Sequence, residues 1–471
     1  MRAPPVMRYR AHMPTVVRSS VMPAPRERLA AWHFREGAIE RLLPPWESIR
    51  EVRNAAGIAN GSTVCMQVRT GLRTIDWIVQ HERVEPGRGF TQRQVSGPFA
   101  DWLHEFRFLP HEDGRSTIEE HVAYREPFGL FGSACCGGRI QKRLTRILAW
   151  RHRRLANDVR RHEELSQGNP LRVAVSGASG LVGKQCCAFL SSGGHQVRRI
   201  VRGEVNHERL DVAWNTQTGT VDGTALDGVD AVVHFAGENI AAGSWTADRK
   251  RAIRQSRVNG TRQIAMALAA LPHKPRVLIC ASGVGWYGSR GTEPLDETSG
   301  AGTGFLSQTC QEWEQATLPA EQAGIRVVHL RIGLVVTAAG GVIKRLRTPF
   351  SLGLGGPVGS GTQGMSWIAL DDLLAATLHC IQNESLRGAV NAVAPDPRSN
   401  RAFGAALGQA MHRPAITPLP AAAVSLIFGE MGRELLLGGN FVQPQRLLDS
   451  GFRFDHARLE QALAFEFGHM D

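Results

Sequence analysis

A short β-branched run, Val173-Ala-Val-Ser176, leads straight into Gly177, Gly180 and Gly183, spaced G-x-x-G-x-x-G, and an amphipathic segment follows from Leu181 to Leu190. Few local patterns constrain a chain more tightly. The first glycine permits a tight turn after a strand, the second lets the backbone approach a pyrophosphate, and the third lets the helix pack closely on the strand. Amides at the helix start then face the phosphate, helped by the helix dipole. Gly193-Gly194 stops the helix before the next strand. The turn therefore predicts a bound dinucleotide.

From Leu171 onward the pattern is strand–helix–strand. Strands are expected near 171–176, 196–201, 229–235, 276–281, 325–332 and 388–394, and helices near 181–192, 247–271, 304–323 and 368–382. Right-handed crossovers make this an α/β fold with a doubly wound parallel sheet. Residues 16–165 differ. Short alternating runs (Cys65–Val68, Trp77–His81, Phe90–Val95, Trp102–Phe108, Thr117–Tyr124) suggest an antiparallel sheet. A helix from about Arg139 to Leu165 follows, with Ile140, Leu144, Ile147, Leu148, Leu155 and Val159 at three- and four-residue steps. Gln167-Gly-Asn-Pro170 reads as a hinge. A length of 471 residues fits two or three domains at roughly 150 residues each. The expected boundaries are a disordered extension over 1–15, an α+β domain over 16–165, the dinucleotide domain over 171–412 and a cap over 413–471.

Charge and cysteine usage narrow the partners. Residues 1–170 hold 27 Lys/Arg against 18 Asp/Glu and the remainder 28 against 25, so the net charge of +12 lies mostly in the first part. That basic part suits anionic lipid, nucleic acid or acidic ligands, or is simply a solvated Arg-rich helix, and no nucleic-acid module accompanies it. No apolar run approaches the roughly 18 residues of a membrane helix, and Met1–Arg18 lacks the apolar core of a secretory signal. The eight cysteines include the neighbours Cys135-Cys136 and Cys186-Cys187 but no C-x-x-C, so neither a zinc site nor thioredoxin-like redox chemistry is expected. Reduced thiols and a cytoplasmic location follow.

Cofactor choice turns on the end of the second parallel strand. Asp or Glu there binds the ribose hydroxyl of NAD, whereas arginine accommodates the 2′-phosphate of NADP. Arg202 occupies the position, with Arg198 and Arg199 close by. NADP is expected ahead of NAD.

Two resemblances add to this reading. The order Arg41-Leu-Leu-Pro-Pro-Trp46, Trp77-Ile-Val-Gln-His81, Gly97-Pro-Phe-Ala-Asp-Trp-Leu-His104 and Glu120-His-Val-Ala-Tyr124, closed by the basic helix, resembles the helix-grip (START-like, SRPBCC) superfamily. That implies a cavity for a hydrophobic ligand between sheet and helix; Trp77, Trp102, Phe106 and Phe108 either line it or simply pack the core. Further on, His234-Phe-Ala-Gly237, Ser256-Arg-Val-Asn-Gly-Thr261, Cys280-Ala-Ser-Gly-Val-Gly-Trp-Tyr-Gly288, Pro349-Phe-Ser-Leu-Gly-Leu-Gly-Gly-Pro357 and Met411-His-Arg-Pro-Ala415 are similar to the extended short-chain dehydrogenase/reductases. The likeness is sharpest to epimerase-family proteins that end in a small uncharacterised domain. It implies an NAD(P)-binding Rossmann domain with cofactor contacts from Gly177, Ser179, Gly180, Leu181, Val182, Gly183, Arg202, Ala236, Gly237 and Asn259.

One element of that superfamily is missing. Its chemistry uses Tyr-x-x-x-Lys, the lysine helping the phenol exchange a proton near neutral pH. The three tyrosines here, Tyr9, Tyr124 and Tyr287, are followed four residues on by Met13, Phe128 and Gly291. Counting back from Glu314, the dyad positions carry Leu306 and Cys310. Ser282 and Tyr287 are the catalytic candidates that remain, with Cys310, Glu238 and Arg331 nearby; His234 reads as a satisfied strand-end histidine. The loop Gly353–Gly361, beside Gln363 and Trp367, suits either an anionic substrate or a plain turn. Two functions stay open: an NADP-dependent oxidoreductase or epimerase with unusual proton transfer, or a non-catalytic nucleotide-binding regulator or scaffold, which the resemblance links to cell division. The substrate is not legible.

Overall fold

In the computed structural model, residues 13–47, 49–54, 57–70, 73–126, 129–166 and 169–469 are described. The expected N-terminal extension falls almost wholly outside them, as do Gln167 and Gly168 of the expected hinge. The chain forms two compact units, one chiefly of residues up to 168 and the other of residues from Asn169 onward.

The first unit is a seven-stranded antiparallel sheet with one long helix. In chain order the strands are β1 (Thr15–Met22), β2 (Ile49–Asn54), β3 (Thr63–Thr70), β4 (Arg73–Glu85), β5 (Gly89–Ser96), β6 (Asp101–Pro110) and β7 (Ser116–Arg125). They pair in the order β1-β7-β6-β5-β4-β3-β2. Helices α1 (Arg26–Phe34) and α2 (Ala38–Arg41) link β1 to β2, and α3 (Gly129–Ser166) follows the sheet. The helix starts ten residues earlier than the apolar periodicity suggests. Its periodic residues do face the sheet: Leu155 and Val159 pack with Phe90, Phe106, Phe108 and Ile118, and Leu144 and Leu148 pack with Trp102, Val122 and Tyr124. Trp102, Phe106 and Phe108 thus sit inside core clusters, and Trp77 is half-buried beside them. Arg41 forms a two-point ion pair with Asp158 at 2.6 and 2.7 Å, both side chains buried.

Charge is also buried between this sheet and α3. Glu120 accepts from His104 Nε2 at 2.7 Å, with His152 at 3.3 Å and Arg151 at 3.6 Å. Burial alone would push its carboxyl up, but Arg151 and the two histidines more than offset that and hold it well below the usual range. His33 behaves oppositely. Its Nδ1 bonds the Leu29 carbonyl at 2.9 Å, and burial pulls its pKa down to about 4. The unfolded chain binds this proton near pH 6.5, so His33 favours the folded unit above that pH, and the benefit is lost as pH falls toward 4. Lowering the pH from 7 to 5 is expected to cost the first unit about 2 kcal/mol through this residue. Thermal unfolding at the two pH values checks it, with His33→Phe flattening the dependence; an unchanged slope in that variant would refute the assignment.

The second unit carries the glycine turn. Its central sheet contains β8 (Arg172–Ser176), β9 (Gln196–Val201), β10 (Val212–Asn215), β11 (Thr220–Val221), β12 (Ala231–His234), β13 (Val277–Gly283), β14 (Arg326–Ile332) and β15 (Gly388–Ala392). The order is β11-β10-β9-β8-β12-β13-β14-β15, parallel throughout except at β11. Such strands are covered on both faces, so they read as continuous apolar runs: every residue of β12, and all but the first of β8, is buried. The covering helices include α4 (Leu181–Ser192), α5 (Ala247–Ala269), α6 (Phe305–Gln315) and α8 (Leu370–Gln382), while α7 (Gly341–Ser351) packs with Val336 and Trp367 outside that sheet. The order reverses between β8 and β12, the place where open α/β sheets bind ligands beyond their strand ends.

Residues 413–467 belong to the same compact unit. Phe441-Val442 pairs in parallel with Pro294-Leu295, and buried Asp372 accepts from the amides of Asp455 and His456 at 2.8 and 2.9 Å.

Candidate functional site

The turn after β8 is folded so tightly that only glycine fits. Gly177 has φ +70°, and a Cβ there would lie 2.8 Å from Ala236 N. At Gly183 a Cβ would lie 2.2 Å from the Gly177 carbonyl oxygen, a backbone atom that cannot yield. The strand end, the helix start and the loop after β12 are thereby pressed together. Ser179 and Gly180 are exposed and Leu181 and Val182 half-buried, so the first amides of α4 open onto the switch point. Such a cradle of uncovered amides at a helix start is suited to a pyrophosphate. Gly340, just before α7, was not singled out from sequence; a Cβ there would stand 2.8 Å from Leu181, so it fixes the outer side of the same turn.

Ala236 and the exposed Gly237 border the crevice from the loop after β12. Ser256 of α5 accepts from the Glu238 amide at 3.1 Å and holds that loop; Asn259 is exposed on the same helix. His234 is buried, with Nδ1 2.6 Å from Ser176 Oγ, and burial pulls its pKa down to about 4. It ties β12 to β8.

The three arginines near the end of β9 divide their roles. Arg199 forms a two-point pair with Asp211 at 2.8 Å, and Arg198 donates to the Ala225 carbonyl. Arg202 is exposed just beyond the strand.

The catalytic candidates meet in one network at the ends of β13, β14 and β15. Ser282 Oγ donates to Glu314 Oε1 at 2.8 Å. Arg331 grips the same carboxylate with Nε and Nη2, both at 2.9 Å, and its Nη1 donates to Tyr287 OH at 3.0 Å. Tyr287 OH donates in turn to Asn391 Oδ1 at 2.7 Å. Ser282 and Arg331 are each 4% exposed and Tyr287 fully buried. Burial raises the Tyr287 phenol. For Arg331, burial pulls the guanidinium down, but the Glu314 pair overcomes this and holds it raised. Arg331 also lies 3.6 Å over the Trp286 ring. Sequence reasoning used Glu314 only as a counting mark; its role as the hub depends on partners 17 and 32 residues away.

Leu306 and Cys310 face the turn after β13. Cβ atoms built at Gly285 and Gly283 would stand 3.2 Å from Leu306 and 3.9 Å from Cys310 Sγ. Burial pushes the Cys310 thiol up to about 11, and the Glu314 carboxylate adds to the shift. A neutral thiol supplies no positive charge to activate a phenol. Arg257 is half-buried nearby, with its guanidinium lowered by burial and bonded to the Glu238 carbonyl at 2.9 Å.

The NAD dependent epimerase/dehydratase family profile matches residues 173–392, and one for a domain of unknown function (DUF1731) matches residues 419–466. An epimerase family protein of Mycobacterium tuberculosis, MT2273, is 43% identical over 294 residues, covering 62% of this chain and 96% of that protein. The chain belongs to the epimerase family. Human epimerase family protein SDR39U1 is 33% identical, with 62% of this chain and 98% of the relative covered. A crystal structure of that human protein (isoform 2) with NADPH aligns at TM-score 0.58 and 31% identity, over 64% of this chain and 99% of its own. The nucleoside-diphosphate sugar epimerase of Corynebacterium glutamicum aligns at TM-score 0.80 and 32% identity, over 96% of this chain and 90% of its own. The epimerase-family portion thus has a Rossmann-like NAD(P)-binding fold followed by the DUF1731 segment. Among the described residues, no helix is long and apolar enough to cross a membrane, and no group of three His, Cys, Asp or Glu is placed to hold a metal ion.

Proposed function

We propose that this epimerase-family chain binds NADP(H) at the Gly177–Gly183 turn and acts on a small-molecule substrate held against the ends of β12 to β14. The observation that carries the reading is the cradle itself, closed to any side chain at Gly177 and Gly183. The bound nucleotide would supply a hydride donor or acceptor. Ser179, Gly180, Leu181 and Val182 would present backbone and hydroxyl donors to the pyrophosphate, and Ala236, Gly237 and Asn259 would border the rest. Arg202, exposed where its two neighbours are engaged, would pair with the 2′-phosphate. NADPH in the human relative's structure supports that preference.

Ser282 is the proposed group nearest the reacting atoms, oriented by Glu314. Tyr287, with its hydroxyl engaged on both sides, would position Arg331 and Glu314 through the network. A second reading, a non-catalytic nucleotide sensor, is favoured by Leu306 and the neutral thiol of Cys310, neither of which can move a proton as a Tyr–Lys pair does. Purified protein tested with NADPH against carbonyl compounds and nucleotide sugars separates the two; NADPH binding with no turnover selects the sensor.

The cofactor assignment has its own test. Arg202→Asp is expected to weaken NADPH binding about 30- to 100-fold and NADH binding less than about threefold, from loss of a charge-assisted contact and gain of repulsion. Equal losses for both nucleotides would remove the 2′-phosphate role.

For the first unit the proposal is a helix-grip domain that takes a hydrophobic ligand. The seven-stranded antiparallel sheet followed by the long helix α3 supports it. A solvatochromic fluorophore added to the full chain decides this: no emission gain would exclude the cavity.

A further inference from the structure

The segment following the sheet contains an unusual helix. Residues Ala421–Gly432, α9, read Ala-Ala-Ala-Val-Ser-Leu-Ile-Phe-Gly-Glu-Met-Gly, yet only Val424, Met431 and Gly432 are buried. Leu426 and Ile427 stand 88% and 60% exposed. Surface helices ordinarily turn their apolar stripe inward and their polar face outward; this one leaves large aliphatic side chains in water. Its backbone is also broken. Gly429 has φ 57° and ψ −134°, a conformation that favours glycine, and a single π-helical turn, Arg433–Leu437, follows. Such breaks are where helices bend.

Two polar clasps hold the segment down. The Glu434 carboxylate accepts from the amides of Phe305 and Leu306 at 2.9 and 3.1 Å, the first two of α6, whose N-cap residue Gly304 offers no side chain. Glu430 pairs with Lys250 of α5 at 2.8 and 2.9 Å. Beneath them Phe428, Met431 and Leu435 pack with Trp245, Phe305 and Leu306. Leu306 is the residue that faces the turn after β13. The clasped segment therefore borders, through Leu306, the turn after β13.

We infer that residues 421–437 are a latched lid: Glu434 is the latch, Gly429 the hinge, and Leu426 with Ile427 the apolar face that turns inward when a ligand fills the crevice. The bare latch needs no ligand. The inward turn of the part before Gly429 rests on the cofactor reading above, because binding energy must favour it over the arrangement in which Leu426 and Ile427 are exposed.

Hydrogen exchange on the full chain tests both parts. Without nucleotide, Glu434→Ala is expected to speed exchange of peptides covering 305–308 and 421–437 by about tenfold, the weight of a hydrogen-bond pair to a charged group, while peptides covering 372–382 stay as in wild type. Unchanged exchange over 421–437 overturns the latch. With NADPH, wild-type peptides covering 424–428 become protected, and the double change Leu426→Ser, Ile427→Ser abolishes that protection without lowering the Tm. NADPH binding, followed by its fluorescence, with no change over 421–437 overturns the inward turn. A failure of NADPH to bind overturns the cofactor reading instead, and the nucleotide-free comparison still decides the latch.

Discussion

Gly183→Val is expected to abolish NADPH binding and to destabilise the second unit by about 3 kcal/mol, the upper range for overpacking a closed site. The reason is the 2.2 Å approach between a Cβ at this position and the carbonyl oxygen of Gly177. That contact is backbone on one side, so relief requires α4 to move off β8, and the phosphate-facing amides move with it. Gly180→Ala is a graded control. Its Cβ meets the same oxygen at 3.2 Å, a distance small shifts relieve. The alanine protein should therefore fold near normally and lose mainly affinity. Urea unfolding and NADPH titration measure the two effects separately. A folded Gly183→Val protein with wild-type affinity would show that the turn does not hold the nucleotide.

Glu314→Ala should be the most damaging single change among the polar residues of the site. It strands the Arg331 guanidinium, 4% exposed, without its two-point partner. Removing one member of a buried pair costs about 3–5 kcal/mol because the other charge stays uncompensated. Ser282→Ala removes one hydrogen bond and Tyr287→Phe two, so they should cost only about 1 and about 2 kcal/mol. That asymmetry makes them usable probes. A large loss of turnover in Ser282→Ala with a nearly unchanged Tm would place Ser282 at the reacting atoms; equal Tm losses in all three variants would contradict the pairing argument. Loss in Tyr287→Phe restricted to kcat, with binding intact, fits a positioning role.

The parallel sheet was legible because its strands are buried on both faces and read as apolar β-branched runs, as in Val173–Val175 and Ala231–Val233. The glycine turn was legible because backbone crowding leaves one residue type. Other elements were not. Strand β2 reads Ile-Arg-Glu-Val-Arg-Asn at the edge of its sheet, too polar to stand out as a strand. Strand β10 has only four residues. Helix α7 contains Pro349, which breaks the usual helical pattern, and it was not among the expected helices. In the site, Ser282 and Tyr287 were found as candidates from their motif, but their connection through Glu314 and Arg331 was not. Those contacts join separate strands and a helix, and no local periodicity encodes them. The same holds for Glu434, whose carboxylate reaches a helix start 129 residues away in sequence.

The division of labour among Arg198, Arg199 and Arg202 has an evolutionary consequence. The first two are committed to the scaffold, while Arg202 is exposed. Substitutions at such a solvent-facing position usually stay within about 0.5 kcal/mol of parental stability. On the proposed reading, a lineage carrying this scaffold could trade one redox currency of the cell for the other by a single codon change, with the folding machinery indifferent to the exchange.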